Sequence, residues 1–332
     1  MKKIVLIFAI ALIAMSSCKT HKFLDSAAPE ERALNMMKVT DEEKTTVLRP
    51  SVHYGFPKDF ATTRYGGSKA GKIHWECNRI LSTSPNSDEI AYLTRENKQD
   101  NIMIRRTSAN SSATQRTFRN VTDFTWGADD KLYFSDGGIA MIDAHSGSLV
   151  RQLTSNSTDV NPSVTADGKL VFFCRSDRTG PSIWSLNLDN GSLTQCAAGY
   201  QPCTIGNEKD RILCTRNNTS GSSEIWIIDY VLGQETILLS DKNISYSHPS
   251  ISPDGMWVVC QGNCKSPINK KENTDIYAIR IDGTGYIQLT YHPAQDQCPV
   301  FSNDGRHIYF ISDRANKDEH NNIWRMNFNG GY

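Results

Sequence analysis

The sequence has no excess of charge of either sign. It contains 36 Lys and Arg residues and 36 Asp and Glu residues, so its formal net charge is zero. Proteins that bind nucleic acids through phosphate contacts normally carry a basic surplus. The balance therefore argues against that class, and we expect no nucleic-acid partner.

Long hydrophobic runs and local catalytic motifs are also lacking. Mean hydropathy is −0.46, which excludes a multi-span membrane protein, and the apolar run Ile4–Met15 is too short to span a bilayer. No nucleophile elbow, P-loop, H-E-x-x-H or dinucleotide fingerprint occurs. An enzyme would therefore need a site assembled from scattered residues.

The first 17 residues have the pattern of a signal peptide, with Lys2 and Lys3 before the apolar run and small residues after it. Met15-Ser16-Ser17-Cys18 resembles a bacterial lipobox, which implies that the Cys18 thiol receives a diacylglycerol. This covalent lipid is the one non-protein group expected. An ordinary signal peptide containing a cysteine is the alternative. Removal of residues 1–17 would leave a side-chain charge of −2.

Residues 19–22 indicate the membrane in which such a lipoprotein would reside. Lys19-Thr20-His21-Lys22 resembles neither the aspartate signal for inner-membrane retention nor the acidic export signal of Bacteroidota lipoproteins. By this resemblance we expect a lipid anchor in the outer membrane, with the chain facing the periplasm.

Internal repeats are the strongest signal in the sequence. Three segments share a plan of apolar strand, Asp-Gly turn, apolar strand and Ile-aromatic strand, beginning at Asn161, His248 and Cys298. Weaker copies surround Ser87, Asp130 and Glu208, and the period is about 40–50 residues. Four short strands per unit at this period are typical of a β-propeller blade. Asp-Gly between apolar runs favours a hairpin, because such turns need positive φ.

Four short motifs occur in these repeats: Ser-Pro-Asp-Gly, Ser-Asp-Arg, Ile-Trp and Gln-Leu-Thr. Through them, about residues 79–332 resemble the TolB-like group of β-propellers. Together with the lipobox pattern at residues 15–18, this resemblance implies a TolB-like lipoprotein, and a Bacteroidota bacterium is the expected source. We predict an all-β fold, a six-bladed propeller at 79–332, a signal peptide at 1–17 and a tether at 18–78. A helix over 29–37, capped by Ser26, and a blade-closing strand between Phe60 and Trp75 are expected within the tether.

The residues just before the repeated proline position are predicted to ring one mouth of the channel. They are Ile80, Asp123, Asn161, Gln201, His248 and Cys298. We take the last five as candidate binding residues, assign no catalytic or metal-binding residue, and regard hydrogen bonding to ordered water as their simplest role. A soft-metal site of Asp123, His248 and Cys298 is the alternative.

Other motifs have structural interpretations. We expect the Ser-Asp-Arg arginines to stack on the next blade, His292 to lie in a surface loop, and third-strand aromatics such as Trp324 to fill the core between blades. Cys260 and Cys264 flank a predicted turn that would allow a disulfide, and free buried cysteines are the equal alternative.

The expected function is a non-enzymatic periplasmic lipoprotein that docks protein partners in envelope assembly, transport or integrity. By resemblance to TolB, the partners are envelope proteins such as peptidoglycan-associated lipoproteins, with the chain a monomer or part of a hetero-complex. Two alternatives stay open. One is a lyase or hydrolase acting on a glycan or peptide at the channel mouth, and the other is a ligand-binding sensor.

Overall fold

The computed structural model describes residues 31, 34–40, 52–53, 75–76, 79–96, 99–108, 111–206, 208–265, 272–314 and 321–330. They form six four-stranded antiparallel sheets and one two-stranded antiparallel sheet, Val52–His53 with Trp75–Glu76. The predicted all-β, six-bladed propeller is confirmed.

Each blade has an inner, a second, a third and an outer strand. The inner strands are Leu81–Thr83, Phe124–Trp126, Val160–Val164, Tyr200–Thr204, Ile244–Ile251 and Asp296–Phe301. The second strands are Glu89–Glu96, Lys131–Ser135, Leu170–Asp177, Arg211–Asn217, Trp257–Lys265 and His307–Ser312. The third strands are Gln99–Arg106, Ile139–Asp143, Gly180–Asn187, Ser223–Asp229, Glu272–Arg280 and Asn322–Asn327. The outer strands are Thr114–Gln115, Leu149–Gln152, Leu193–Ala198, Gln234–Leu239, Ile287–Gln288 and Met37–Lys38.

The turns between inner and second strands have the expected geometry. Gly168, Gly255 and Gly305 have φ values of 68°, 73° and 71°, which glycine adopts without steric cost. Next to one of them, the Asp254 carboxylate accepts the Met256 backbone N–H at 2.9 Å and thereby fixes the turn. We call the end of the propeller that carries these turns the hairpin face.

The core lies between successive blades. Apolar side chains on the second and third strands of one blade pack against those of the next, as expected for strands buried on both faces. In the last blade Phe310 and Trp324 pack with Trp257 and Val259 of blade five. Of the four third-strand aromatics predicted to fill this core, Tyr277 and Trp324 are buried. Trp184 and Trp226 are half-buried and pack against the edge of their clusters.

The N-terminal segment closes the last blade. Met37–Lys38 pairs antiparallel with Asn322–Asn327, and the Val39 N–H donates to the Ile323 carbonyl at 2.8 Å. The prediction that residues between Phe60 and Trp75 supply this strand is wrong. Trp75 pairs with His53 instead, while residues 60–74 lie outside the described part of the chain. Met37–Lys38 covers an edge that would otherwise carry unpaired backbone groups.

Little of the predicted tether helix is described. Glu31 and Leu34 have 3₁₀ geometry, and Met37 begins a strand rather than ending a helix. Ser26, the signal peptide 1–17 and Cys18 lie outside the described residues, so lipidation stays a prediction. Among the residues that the structure places, no helix is long and apolar enough to cross a membrane.

Candidate functional site

Four of the predicted channel residues have a left-handed backbone. Their φ values are 54° at Asn161, 52° at Gln201, 55° at His248 and 51° at Cys298. Each precedes a proline, at a bulge where the inner strand changes register with the second strand. A non-glycine residue in this conformation costs roughly 1–2 kcal/mol. Other interactions must therefore hold these four residues in place.

Side chains from the preceding blade supply part of that stabilisation, by accepting backbone N–H groups. The Asn161 N–H donates to Asp123 Oδ1 at 2.9 Å, and the His248 N–H donates to Gln201 Oε1 at 3.0 Å. The Cys298 N–H donates to Gln261 Oε1 at 2.9 Å. The ring therefore contains hydrogen bonds that run from blade to blade.

The predicted candidates meet in two pairs. Asp123 contacts Asn161, and Gln201 Nε2 lies 3.3 Å from both ring nitrogens of His248. Cys298 is bound instead by Gln261, which the sequence did not single out. All five candidates are buried. Within the described part of the chain, no group of three or more His, Cys, Asp or Glu residues could hold a metal ion. Ligand binding by the ring stays a prediction.

A second feature, the hairpin-face cavity, lies at the other end of the channel. Its volume is about 310 Å³. All six blades contribute to it, with residues from the later half of the inner strands and from the turns that follow. Its polar wall is rich in hydroxyl groups and includes Ser82, Thr125, Ser163, Thr204, Ser250 and Ser302. Its apolar wall includes Trp126, Val164, Ile251 and Phe301. None of the five predicted channel residues lines it.

Among the described residues that line the cavity, Arg79 is the one with a charged side chain. It lies two residues before the first inner strand, Leu81–Thr83, and its guanidinium crosses the channel to blades three and four. Nη1 donates to the Pro162 carbonyl at 3.2 Å, and Nη2 donates to the Pro202 carbonyl at 3.0 Å. These carbonyls follow two of the left-handed residues, so Arg79 lies between the buried ring and the open cavity.

The charge of Arg79 acts inside the cavity, at Cys203 of the wall. Burial raises the pKa of the Cys203 thiol, and the positive charge of Arg79 opposes this by favouring the thiolate. The sequence did not single out Arg79, because this residue lies outside the repeated motifs. The available signal was that the equivalent positions of the other blades, Thr122, Val160, Tyr200, Ser247 and Gln297, carry no charge.

A buried charge cluster ties the N-terminal segment to the last blade. Arg314 binds Glu31, with Nη1 to Oε2 at 3.0 Å, and also binds Asp296. Burial raises the pKa of Asp296 to about 6, although the Arg314 charge opposes the shift. Burial and repulsion from Asp296 and Glu31 raise the pKa of Asp275 to about 8. His292 is buried beside Glu31, so the predicted surface position is wrong.

The Ser-Asp-Arg arginine of blade six stacks on its own blade rather than the next. Arg314 lies over the rings of Phe310 and Trp324. In blade three the corresponding stack is made by Arg175 over Trp184 at 4.9 Å, while Arg178 of the motif is exposed. The motif therefore supports blade structure in blade six and is replaced by a neighbouring arginine in blade three.

The predicted Cys260–Cys264 bridge is wrong. Both cysteines are free and lie four positions apart on the continuous strand Trp257–Lys265. That spacing separates their Cα atoms by roughly 13 Å at 3.3 Å per residue, well beyond the bridging range. Gly262 between them does not turn the chain. Its bare Cα allows the Tyr277 ring to pack there, because an added Cβ would lie 2.5 Å from that ring.

Comparisons with solved structures show that the fold is similar to those of TolB proteins and of an oligogalacturonate lyase. TolB from Agrobacterium tumefaciens superposes with a TM-score of 0.57 at 15% identity, over 76% of this chain and 90% of that chain. TolB from Acinetobacter baumannii gives 0.56 at 17% identity, over 74% of this chain and 64% of that chain. An oligogalacturonate lyase from Vibrio parahaemolyticus gives 0.54 at 11% identity, over 90% of this chain and 98% of that chain.

Sequence comparison alone is less informative. No family model matches the chain. Telomerase protein component 1 of Rattus norvegicus is 24% identical over 114 residues, which cover 32% of this chain and 4% of that protein. The three structural similarities named above are below 25% identity and therefore bear on the fold alone. Together with the six closed blades, they show that this chain has a TolB-like six-bladed β-propeller fold.

Proposed function

We propose that this protein is a non-enzymatic docking protein of the cell envelope, held by a lipid on Cys18 and facing the periplasm. The observation that carries the proposal is the hairpin-face cavity. All six blades build its wall, and the lining residues that the structure describes include one cation and no carboxylate or imidazole. Such a wall suits recognition better than general acid–base catalysis, which needs a proton donor and acceptor.

Two further observations support a docking role. The cavity belongs to a closed ring whose last blade is completed by the N-terminal segment, so the surface is rigid and needs little ordering on binding. Two TolB propellers share the fold. By resemblance to TolB, envelope proteins such as peptidoglycan-associated lipoproteins are the partner class proposed.

Site-specific photo-cross-linking in intact cells tests the proposal. A photoreactive residue replaces Ala166, which is exposed at the cavity rim, and a matched control replaces Thr179, which is exposed at the opposite end of the same blade. We expect protein adducts from position 166 and few from position 179. Equal labelling, or no adduct at either position, would contradict docking at the cavity. Loss of membrane association in Cys18→Ser would support the anchor.

A lyase or hydrolase acting on a glycan or peptide is the second candidate. The observation that favours it is the contact of Gln201 with the His248 ring inside the buried ring of polar groups, on a fold shared with an oligogalacturonate lyase. Metal analysis of the purified protein and turnover assays on uronate oligomers and peptides, with Asp123→Ala and His248→Ala, test it. Turnover that both substitutions leave unchanged would exclude this ring as the site.

A further inference from the structure

Arg79 has hydrogen-bonding capacity that the described residues do not use. A guanidinium carries five N–H donors, and the protein carbonyls of Pro162 and Pro202 take one from each terminal nitrogen. Both partners are neutral. Every other described residue of the cavity wall is uncharged, so none of them provides a counter-ion for Arg79.

The two carbonyls also fix where the guanidinium lies. They belong to blades three and four, whereas Arg79 precedes the inner strand of blade one, so the side chain spans the channel. A charged group held in this way is pre-organised for a ligand, because binding requires no new side-chain ordering. Arg79 forms the floor of a cavity that is open to solvent on the hairpin face.

The wall above Arg79 selects the type of anion. The part of it that the structure describes contains no second cation, so a phosphate dianion would be only partly neutralised there. A carboxylate matches one guanidinium in charge and planar shape. The hydroxyl groups of Thr125 and Ser250 line the same cavity and are able to donate to a carboxylate oxygen. Trp126 and Phe301 offer apolar surface for the group that carries it.

The size of the cavity limits the carrier. About 310 Å³ lies at the lower end of the range for small-molecule sites, so the cavity accepts a side chain or a short segment rather than a folded domain. We propose that the hairpin-face cavity is a carboxylate-binding site with Arg79 as its anchor, and that the carboxylate belongs to a protruding segment of a docked protein. The choice of carrier rests on the proposed docking function.

The direct test measures binding of defined probes to the full mature chain by NMR titration. The probes are N-acetyl-Gly-Asp-Gly-amide, its Asn analogue, sodium acetate and sodium phosphate. We expect the Asp peptide to bind at least tenfold more tightly than the Asn peptide and acetate, and added salt to weaken it. Acetate binding as tightly as the Asp peptide would overturn the protein carrier. Phosphate binding more tightly would overturn the carboxylate assignment.

Variants tie the binding to Arg79. Arg79→Gln should weaken Asp-peptide binding about 10- to 100-fold, as expected for loss of a charged hydrogen-bond partner. Arg151→Gln is the matched control, because Arg151 also donates to a backbone carbonyl but is exposed and outside the cavity. If Arg79→Gln does not fold, the same titration is made with Arg79→Lys, for which we expect about tenfold weaker binding of the Asp peptide than in the wild type. Unchanged binding in the folded Arg79 variant would overturn the site.

Different experimental outcomes would reject the docking function and the carboxylate site. Arg79-dependent binding of the Asp peptide without adducts at position 166 in cells would reject docking and keep the carboxylate site. Equal partner adducts in the wild type and in Arg79→Gln would keep docking and overturn the role of Arg79.

Discussion

Glu31 and Arg314 are separated by 283 positions in the chain, yet their side chains form a buried ion pair with two N–O distances of 3.0 and 3.4 Å. The same carboxylate accepts the backbone N–H groups of Tyr291 and His292 at 2.7 and 3.1 Å. One side chain therefore connects the N-terminal segment to the loop before blade six and to the last blade itself.

Glu31→Gln should destabilise the propeller strongly. Removing one partner of a buried ion pair leaves an uncompensated charge and typically costs about 3–5 kcal/mol. Because Asp296 still faces Arg314, we expect the lower end of that range. The free energy of unfolding, measured in urea, checks this. Glu208→Gln is the control, because its pair with Arg211 is 38% and 45% exposed and should contribute at most about 1 kcal/mol. Equal effects of the two substitutions would contradict the buried pair.

Stability should fall as pH rises from about 5 to 9. Burial and the neighbouring carboxylates raise the pKa of Asp275 to about 8 and, despite Arg314, that of Asp296 to about 6. The folded state therefore holds protons that the unfolded state has already released, so increasing pH favours unfolding. Urea unfolding across this range measures the slope, and Asp275→Asn should reduce it between pH 6 and 9. Parallel curves for wild type and Asp275→Asn would show that Asp275 does not titrate there.

Thr40 should matter for closure of the last blade. Its hydroxyl accepts the Ile323 N–H at 2.9 Å and donates to Asn322 Oδ1 at 2.9 Å, in a buried position. Thr40→Ala leaves these groups unpaired, which costs about 1–3 kcal/mol, whereas Thr40→Ser retains the hydroxyl and should cost less. Thermal unfolding compares the two variants. A similar loss in both would point to packing of the methyl group instead.

The cysteines should behave as free thiols. All seven that the structure describes are unbridged, and burial raises the pKa of Cys260 above its usual range, so its reactive thiolate is scarce. We expect slow alkylation of Cys260 in the native protein, rapid alkylation in denaturant, and no change of melting temperature with reductant. Detection of a Cys260–Cys264 peptide link by mass spectrometry would refute this.

The repeated architecture was predictable because the turn chemistry and the apolar strands recur in each blade. The closing strand was not, since Met37–Lys38 is only two residues long and begins at the end of the segment 29–37, for which Ser26 and Pro29 are typical of a helix start. Only the tertiary contact of Leu34 and Met36 with the apolar cluster of the last blade favours a strand over a helix here. Gly262 was misread for a similar reason, because the ring of Tyr277 that requires a glycine there comes from the neighbouring strand.

Among the candidate-site residues, those in the ring were also predictable from the repeats, whereas Arg79 was not. Alignment of the repeats identified the ring positions, because each lies at the same place in its blade, and the left-handed backbone of four of them shows that the register was correct. Arg79 has no counterpart in the repeat. Its importance depends on crossing the channel to carbonyls 83 and 123 positions away, which no local pattern reports.

Closure by Met37–Lys38 also sets an order of events during synthesis. The segment emerges from the ribosome first, but its partner strand Asn322–Asn327 is made some 280 residues later, which takes roughly 15–60 s at about 5–20 residues per second. Throughout that interval the blade-closing strand has no native edge to pair with. The last blade is therefore completed only after its third strand, Asn322–Asn327, is available, and ring closure is a late step of folding.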